Sequence, residues 1–277
     1  MARFHEPTIR EQRTFGSLCW MHLHAPELAG SVRAGHYLLV RCTATASADP
    51  LLRRPLFVAK SDPATGSVTL LFQPHERGLV WLAQQQPGMT LDLIGPFGTP
   101  FQLAPASGNL LLAGAGPDLG ALLLLANEAT KRNLAVMLFI AAPRADLLVP
   151  PFLLPPDVEY QTSIGAADTL LPLLAGTSAP TANATPKQPQ PAAFALTTPL
   201  TWADQLCVAL PDPLLTPLAN AIRHVRLRWE RGFAQALLDG PLPCGTGACR
   251  ACLVTTRSGI RTRCKDGPVF DLREVGG

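Results

Sequence analysis

The segment Cys244–Cys252 reads CGTGACRAC, so three cysteines share nine residues, and Cys264 follows after eleven more. This C-x4-C-x2-C…C spacing is the plant-type ligand pattern of a [2Fe–2S] cluster. Such a cluster carries one electron at a time, which predicts a role in electron transfer. The four predicted ligands are Cys244, Cys249, Cys252 and Cys264.

Small residues fill the space between the first two cysteines. Gly245, Gly247 and Ala248 would let the loop wrap closely around a cluster, because glycine reaches positive φ without a Cβ penalty. Backbone N–H groups of such a loop can point at the sulfur atoms and tune the reduction potential. Zinc also binds four thiolates and is the first alternative, but zinc sites usually pair their ligands as two separated C-x2–4-C units.

A disulfide framework is the second alternative. It would leave three of the seven cysteines over, and the rest of the sequence does not look secreted. The cysteines outside the pattern, Cys19, Cys42 and Cys207, are predicted to be small buried hydrophobic residues.

Composition narrows the class of protein. The chain has 277 residues, a net charge of +3 and 16% charged residues, which argues against a nucleic-acid partner or an anionic membrane surface. The most apolar stretch, Leu110–Ala126, is interrupted by Gly114, Gly116, Pro117 and Asp118, so it is typical of a buried strand, turn and helix and not of a membrane span. The N-terminal residues lack an apolar signal core, and thiols kept as ligands suit a reducing compartment. We therefore expect a cytoplasmic protein that does not span a membrane.

Three domains are predicted along the chain. Residues 1–102 contain short strands separated by glycine, proline and aspartate, which favours a small antiparallel β barrel. Residues 103–232 alternate strand and helix, which favours an α/β domain with a parallel sheet. A segment rich in Ala, Pro, Thr and Gln, residues 176–193, is predicted to be a flexible insertion in that domain. Residues 233–277 form the cluster module.

Individual elements are predicted from apolar periodicity. The barrel strands include Tyr37–Cys42, Ser67–Phe72 and Thr90–Ile94. The α/β elements are strands over Asn109–Ala113, Leu134–Ala141 and Gln205–Leu210, and helices over Leu119–Lys131 and Leu215–Trp229.

An arginine motif precedes the cluster. Arg54 would leave a barrel strand beside Pro55, and its planar guanidinium can clamp a diphosphate. An exposed arginine before a proline is also common without any ligand.

A glycine turn is the second motif that could hold a nucleotide. Gly114 and Gly116 follow a strand and open a helix, where a backbone turn can hold a pyrophosphate. Pro117 removes one N–H donor from that turn, and the carboxylate of Asp118 would repel a phosphate.

Together these motifs resemble the electron-transfer subunit of B-type dihydroorotate dehydrogenase, in the ferredoxin–NADP reductase superfamily. The resemblance covers nearly the whole chain, and the run CKDGPVF over Cys264–Phe270 is its most specific part. The segments that carry it are Ala34–Tyr37, Leu51–Leu56, Leu91–Phe101, the turn at Gly114, Cys244–Cys252 and Cys264–Phe270.

The resemblance implies a ferredoxin reductase-like fold with an FAD-binding antiparallel barrel, a Rossmann-like NAD-type domain and a C-terminal [2Fe–2S] module. It implies that FAD receives hydride from NADH, and that the cluster relays electrons to FMN on a catalytic subunit in pyrimidine biosynthesis. The chain would then be an oxidoreductase component in a hetero-oligomer, not a complete enzyme. The nucleotide-binding residues carried over are Arg54, Pro55, Leu56, Phe57, Leu71, Phe72, Gln73, Gly78, Leu79, Gly114 and Gly116.

The sequence departs from the family pattern at the nucleotide sites. Phe57 replaces the serine of the flavin motif, Gln73 replaces an arginine and Leu79 replaces a threonine. The phosphate turn carries Asp118 in place of its last glycine. FAD binding is still expected, whereas NAD binding is doubtful.

Two alternatives stay open from the sequence. The chain could be a non-enzymatic [2Fe–2S] relay or assembly subunit of another redox complex that has lost NAD and possibly FAD binding. Another donor, such as a ferredoxin or a hydrogenase module, could instead replace NADH.

Overall fold

The computed structural model describes residues 2–177, 198–226 and 229–276. Of the predicted insertion 176–193, residues 178–193 lie outside the described residues. No helix among the described residues is long and apolar enough to cross a membrane.

Seven strands of the N-terminal part form an antiparallel sheet in the order β1-β7-β4-β5-β6-β3-β2, as expected for the barrel. Its apolar side chains face inward and are almost fully buried, including Met21, Leu38 and Leu93. The strands are β1 Arg3–His5, β2 Thr8–Phe15, β3 Leu18–His24, β4 Tyr37–Val40, β5 Arg54–Asp62, β6 Ser67–Phe72 and β7 Leu93–Phe97. The helices of this part are α1 Pro26–Ala29 and α2 Arg77–Leu82.

Six strands form the second sheet, in the order β10-β9-β8-β11-β12-β15. The first five are parallel, and β15 is antiparallel to β12. Strands buried on both faces read as continuous apolar runs, as in β11, QLCVAL. The strands are β8 Asn109–Ala115, β9 Ala135–Ala142, β10 Val158–Ile164, β11 Gln205–Leu210, β12 Ala234–Leu238 and β15 Val269–Asp271. The helices are α3 Leu119–Thr130, α4 Leu170–Ala175, α5 Pro199–Trp202, α6 Leu215–Val225 and α7 Leu272–Val275.

The remaining hairpin, β13 Leu253–Thr256 and β14 Gly259–Thr262, follows the cysteine-rich loop. Strands β12 and β15 come from residues 233–277 and yet extend the sheet of the α/β domain. The cluster segment is thus anchored to that sheet at both of its ends.

Two predicted elements differ from the structure by three or more residues at an end, and the others that differ do so by one or two. Strand β7 begins at Leu93, three residues after the predicted start, because Thr90 forms an isolated bridge to Thr8 instead of pairing with β4. Helix α6 ends at Val225 and does not reach Trp229, because the backbone of Arg226 is extended. The Arg226 guanidinium donates to the carbonyls of Leu200 and Ala203 at 2.9 and 2.7 Å.

One continuous apolar core joins the barrel, one face of the α/β sheet and the cysteine-rich segment. It contains Leu56 of β5, Leu122 of α3, and the side chains of Cys252 and Cys264. The opposite face of the sheet has its own core beneath α4, α5 and α6. The position of the cysteines is therefore set by the same packing that joins the domains.

Candidate iron–sulfur loop and nucleotide groove

The cysteine-rich loop follows β12 and places its four thiols on one side of the barrel. Cys252 and Cys264 are 2% and 0% exposed, Cys244 is half-buried and Cys249 is exposed. Gly245 lies in the left-handed region at φ +70, and a Cβ there would stand 2.7 Å from the ring of Phe97. Only glycine therefore lets this loop lie against the barrel.

The four thiols form two contacting pairs. The thiols of Cys244 and Cys249 lie close enough to interact, as do those of Cys264 and Cys252. No group of three or more His, Cys, Asp or Glu side chains in the described part of the chain is arranged to hold a single metal ion. A [2Fe–2S] cluster is held by two ligands on each iron, so the paired arrangement fits it.

The surroundings of the sulfurs shift the thiol pKa values in opposite directions. Burial alone would raise the pKa of Cys244, but backbone and side-chain hydrogen bonds from Cys249 and Thr246 together outweigh it and lower that pKa to about 6. Burial, together with the thiol of Cys252, raises the pKa of Cys264 to about 12. Gly247 donates its N–H to the Cys264 Sγ at 3.1 Å. These N–H donors are of the kind that tunes cluster potentials.

The last predicted ligand, Cys264, has aromatic and apolar residues packed around it. Tyr37 of β4 donates its hydroxyl to the carbonyl of Cys264 at 3.1 Å in a buried contact. Its ring stacks on Phe97, with centroids 5.7 Å apart. Val269 and Phe270 are 5% and 7% exposed, so a buried apolar pair follows Cys264.

A groove lies between the barrel and the α/β domain, and we call it the Arg54 groove. Its volume is about 290 Å³. It brings together eight of the eleven predicted nucleotide residues: Arg54, Pro55, Leu56, Phe57, Leu71, Phe72, Gln73 and Leu79. The further lining residues, from both domains and the cluster segment, are His75, Glu76, Pro117, Asp118, Asp239, Gly240 and Leu242.

The other three predicted nucleotide residues do not line this groove. Gly116 lines a neighbouring cavity of about 140 Å³. Gly114 faces the side chains of Leu119 and Leu122, each 2.6 Å from the place of a Cβ. Gly78 donates its backbone N–H to the carboxylate of Glu76 at 3.0 Å.

An intramolecular ion pair occupies the cationic end of the Arg54 groove. The Nε and Nη2 atoms of Arg54 donate to the two carboxylate oxygens of Glu76 at 3.0 and 2.8 Å. The same carboxylate caps α2, accepting the N–H groups of Gly78 and Leu79. The hydrogen bond from Arg54 is the main reason that the pKa of Glu76 falls to about 2. Sequence reasoning missed Glu76, since nothing local links it to Arg54.

Two acidic residues, Asp118 and Asp239, line the α/β side of the groove. Burial, and then the neighbouring charge of Asp239, raise the pKa of Asp118 to about 7. Asp118 precedes α3 without a side-chain capping hydrogen bond, and Pro117 lies beside it in the groove. That this turn is unsuited to a phosphate stays a prediction; Asp239 was not anticipated from the sequence.

The fit to a flavin is uneven along the groove. The apolar wall of Pro55, Leu56, Leu71 and Leu242 suits a flat ring, whereas the donors for a diphosphate are engaged by Glu76. The three cysteines outside the cluster pattern, Cys19, Cys42 and Cys207, are buried free thiols, as predicted.

Residues 242–276 match the family described as the iron-sulfur cluster binding domain of dihydroorotate dehydrogenase B. The chain is 30% identical over 241 residues to the dihydroorotate dehydrogenase B (NAD(+)) electron transfer subunits of Bacillus caldolyticus and Geobacillus kaustophilus, covering 85% of this chain and 84% of each relative.

Solved structures share the fold at low identity. The NADH-dependent reduced ferredoxin–NADP oxidoreductase superposes with a TM-score of 0.73 at 20% identity, covering 98% of this chain and 90% of that one. The ferredoxin reductase in carbazole 1,9a-dioxygenase superposes with a TM-score of 0.62 at 17% identity, covering 85% and 69%. The predicted ferredoxin reductase-like fold is thereby confirmed.

Proposed function

The chain belongs to the family of dihydroorotate dehydrogenase B electron transfer subunits, and we propose that it relays electrons through FAD and a [2Fe–2S] cluster to a flavoprotein catalytic partner. Its work is electron transfer inside a complex, so it is one component of an oxidoreductase.

One observation carries the proposal. The segment that follows β12 lines the Arg54 groove with Asp239, Gly240 and Leu242, and two residues later it supplies the first cluster ligand, Cys244. A ring in the groove and a cluster in the loop would share this short segment as neighbours. That arrangement favours a direct relay between the two cofactors.

The chain's own residues would position both groups. An FAD bound in the Arg54 groove would supply the exchange between two-electron and one-electron chemistry. Leu56, Leu71 and Leu242 would pack against its ring, and Arg54 is the guanidinium that could meet its diphosphate. The N–H of Gly247 and the hydroxyl of Tyr37 hold the Cys264 ligand in place.

The two acidic residues of the groove argue against tight binding of NAD. Asp118 and Asp239 line the α/β side of the groove, and acidic side chains without a basic partner there disfavour a pyrophosphate. We therefore propose that NADH binds poorly and that the donor is open to replacement by another redox protein.

The family name supports a catalytic partner, and we propose an FMN-containing dihydroorotate dehydrogenase subunit in a hetero-oligomer. A cytoplasmic location is part of the proposal, because the cluster thiolates need a reducing compartment.

The test is purification of the native complex without oxygen, followed by iron, sulfide and acid-extracted flavin analysis. We expect a [2Fe–2S] cluster, FAD, and a co-purifying FMN protein. The substitution C252S should abolish the cluster, whereas C207A, a buried cysteine outside the pattern, should keep it. A wild-type chain with no iron or sulfide would contradict the proposal.

A second candidate is a [2Fe–2S] relay or assembly subunit without nucleotide chemistry. The Arg54–Glu76 pair favours it, because the arginine that could meet FAD already has a partner. A complex that contains the cluster and no flavin would support this candidate. One FAD per chain that bleaches with NADH would reject it.

A further inference from the structure

We propose that Glu76 is an intramolecular competitor for the diphosphate of FAD, so that FAD enters the Arg54 groove only when Glu76 leaves the Arg54 guanidinium. The proposal rests on the proposed function, since it takes FAD as the ligand of the groove, and it adds a residue that regulates the occupancy of that site.

The first argument is the donor set around the carboxylate. Glu76 receives two hydrogen bonds from the Arg54 fork, at 3.0 and 2.8 Å, and two from backbone N–H groups, at 3.0 Å from Gly78 and 2.7 Å from Leu79. Four convergent donors, one pair of them from a planar guanidinium, are the kind of set that holds a phosphate oxygen. The carboxylate therefore occupies the position of a ligand anion.

The second argument is that three of the five N–H donors of Arg54, including both donors of its Nε–Nη2 fork, are already engaged. Its Nη1 atom donates to the carbonyl of Leu52 at 2.6 Å, while Nε and Nη2 are taken by Glu76. A diphosphate would have to displace the carboxylate to reach the fork.

The third argument is that nearby arginines cannot substitute for Arg54. Arg53 is paired with Asp92 at 2.6 Å, and Arg77 is paired with Asp49. Among the described residues that line the groove, Arg54 is the one guanidinium, and Glu76, Asp118 and Asp239 are carboxylates. Acidic side chains therefore outnumber the guanidinium in the groove, which opposes a diphosphate until Glu76 is moved or removed.

The charge of Glu76 persists at working pH. The hydrogen bond from Arg54 is the main cause of its lowered pKa, about 2, so the side chain stays ionised in neutral buffer. Competition is consequently relieved by displacement or substitution and not by mild acid.

The test measures FAD and riboflavin affinity of the cluster-loaded full chain, by quenching of flavin fluorescence. Riboflavin has the same ring and no phosphate, so it reports on the ring wall alone. The variant is E76Q, whose amide oxygen can still cap α2 while the charge is gone. The matched control is E11Q, because Glu11 is also paired with an arginine, Arg13, and does not line the groove.

We expect E76Q to bind FAD about tenfold more tightly than the wild type or E11Q, which is the scale of one charge-assisted hydrogen bond. Riboflavin affinity should stay within about twofold across the three proteins, because the ring wall is unchanged. If E76Q fails to fold, E76S is measured instead, since serine also caps helices and carries no charge.

Three results would overturn the inference. Equal FAD affinity in wild type and E76Q would reject the role of Glu76 while leaving FAD as the ligand. A parallel gain for riboflavin would show that the substitution acts on the ring wall and not on the diphosphate. Absence of FAD binding in every variant, with the cluster present, would reject both the inference and the flavin part of the proposed function.

Discussion

The cysteine-rich loop and the Arg54 groove lie side by side on one segment, yet they differ in whether their binding groups are available to a cofactor. The loop pairs four thiols and directs backbone N–H groups at sulfur. In the groove, the guanidinium that would meet a diphosphate is bound by the chain's own Glu76. The contrast indicates that cluster ligation is the fixed part of the electron path and flavin occupancy the adjustable part.

The largest effect should come from removing a ligand on the loop side of this comparison. C252S leaves three thiolates for a group that needs four, so we expect loss of the cluster. Visible absorbance and iron content measure it. C207A serves as the control, and a C252S protein with full iron content would show that Cys252 is not a ligand.

A smaller effect should follow from G245A. A Cβ there would meet the Phe97 ring at 2.7 Å, at φ +70, so the loop must shift away from the barrel. We expect a loss of about 2–3 kcal/mol in the free energy of unfolding, together with reduced iron content.

Gly88 provides the matched control for that clash. It also has a positive φ, +90, with nothing within 4 Å of a Cβ. G88A should therefore carry the conformational strain alone, about 1 kcal/mol, and keep its iron. Equal losses in the two variants would mean that contact with Phe97 does not position the loop.

An intermediate effect is expected in the groove from the pH dependence of stability. The pKa of Glu76 is lowered to about 2 in the folded chain, with the hydrogen bond from Arg54 as the main cause. A depressed carboxyl pKa adds stability that is fully present above the unfolded value, about 4.3, and is lost as pH falls toward 2. After allowance for solvent screening, the difference is about 1–2 kcal/mol.

Urea unfolding at pH 7 and at pH 3 measures this contribution of Glu76 to stability. It is the difference in the free energy of unfolding between wild type and E76Q. The gap between the two proteins should narrow on acidification. A gap that stays constant would show that the Arg54–Glu76 pair does not stabilise the folded chain.

The smallest effect should come from Y37F. The substitution keeps the ring that stacks on Phe97 and removes the hydroxyl that donates to the Cys264 carbonyl. We expect a loss of about 1 kcal/mol in the free energy of unfolding and a small shift of the cluster potential. Thermal melting and redox titration check both, and no change in either would rule out a positioning role for the hydroxyl.

The sequence predicts the loop far better than the groove, for a physical reason. Three of the four predicted cysteine ligands lie within nine residues, so their spacing alone predicts a cluster loop. Strand Gln205–Leu210 was also predicted at its observed bounds, because a strand buried on both faces reads as one apolar run. In both cases the local sequence is sufficient for the prediction.

The Arg54–Glu76 pair in the groove depends on contacts between distant parts of the sequence, so no local sequence pattern predicts it. Arg54 and Glu76 are 22 residues apart and meet only after β5 and α2 have been placed beside each other. Asp118 and Asp239 likewise meet only across the folded α/β sheet. The boundaries proposed between domains stay predictions, although β12 and β15 show that residues 233–277 contribute two strands to the larger sheet.

The most direct test of the electron path is low-temperature EPR of the full chain, purified without oxygen and reduced with dithionite. We predict a two-iron signal that integrates to about one spin per chain, as expected for one plant-type [2Fe–2S] cluster. The signal should persist in E76Q and vanish in C252S. A reduced wild-type protein with no such signal would contradict the assignment of Cys244, Cys249, Cys252 and Cys264 as cluster ligands.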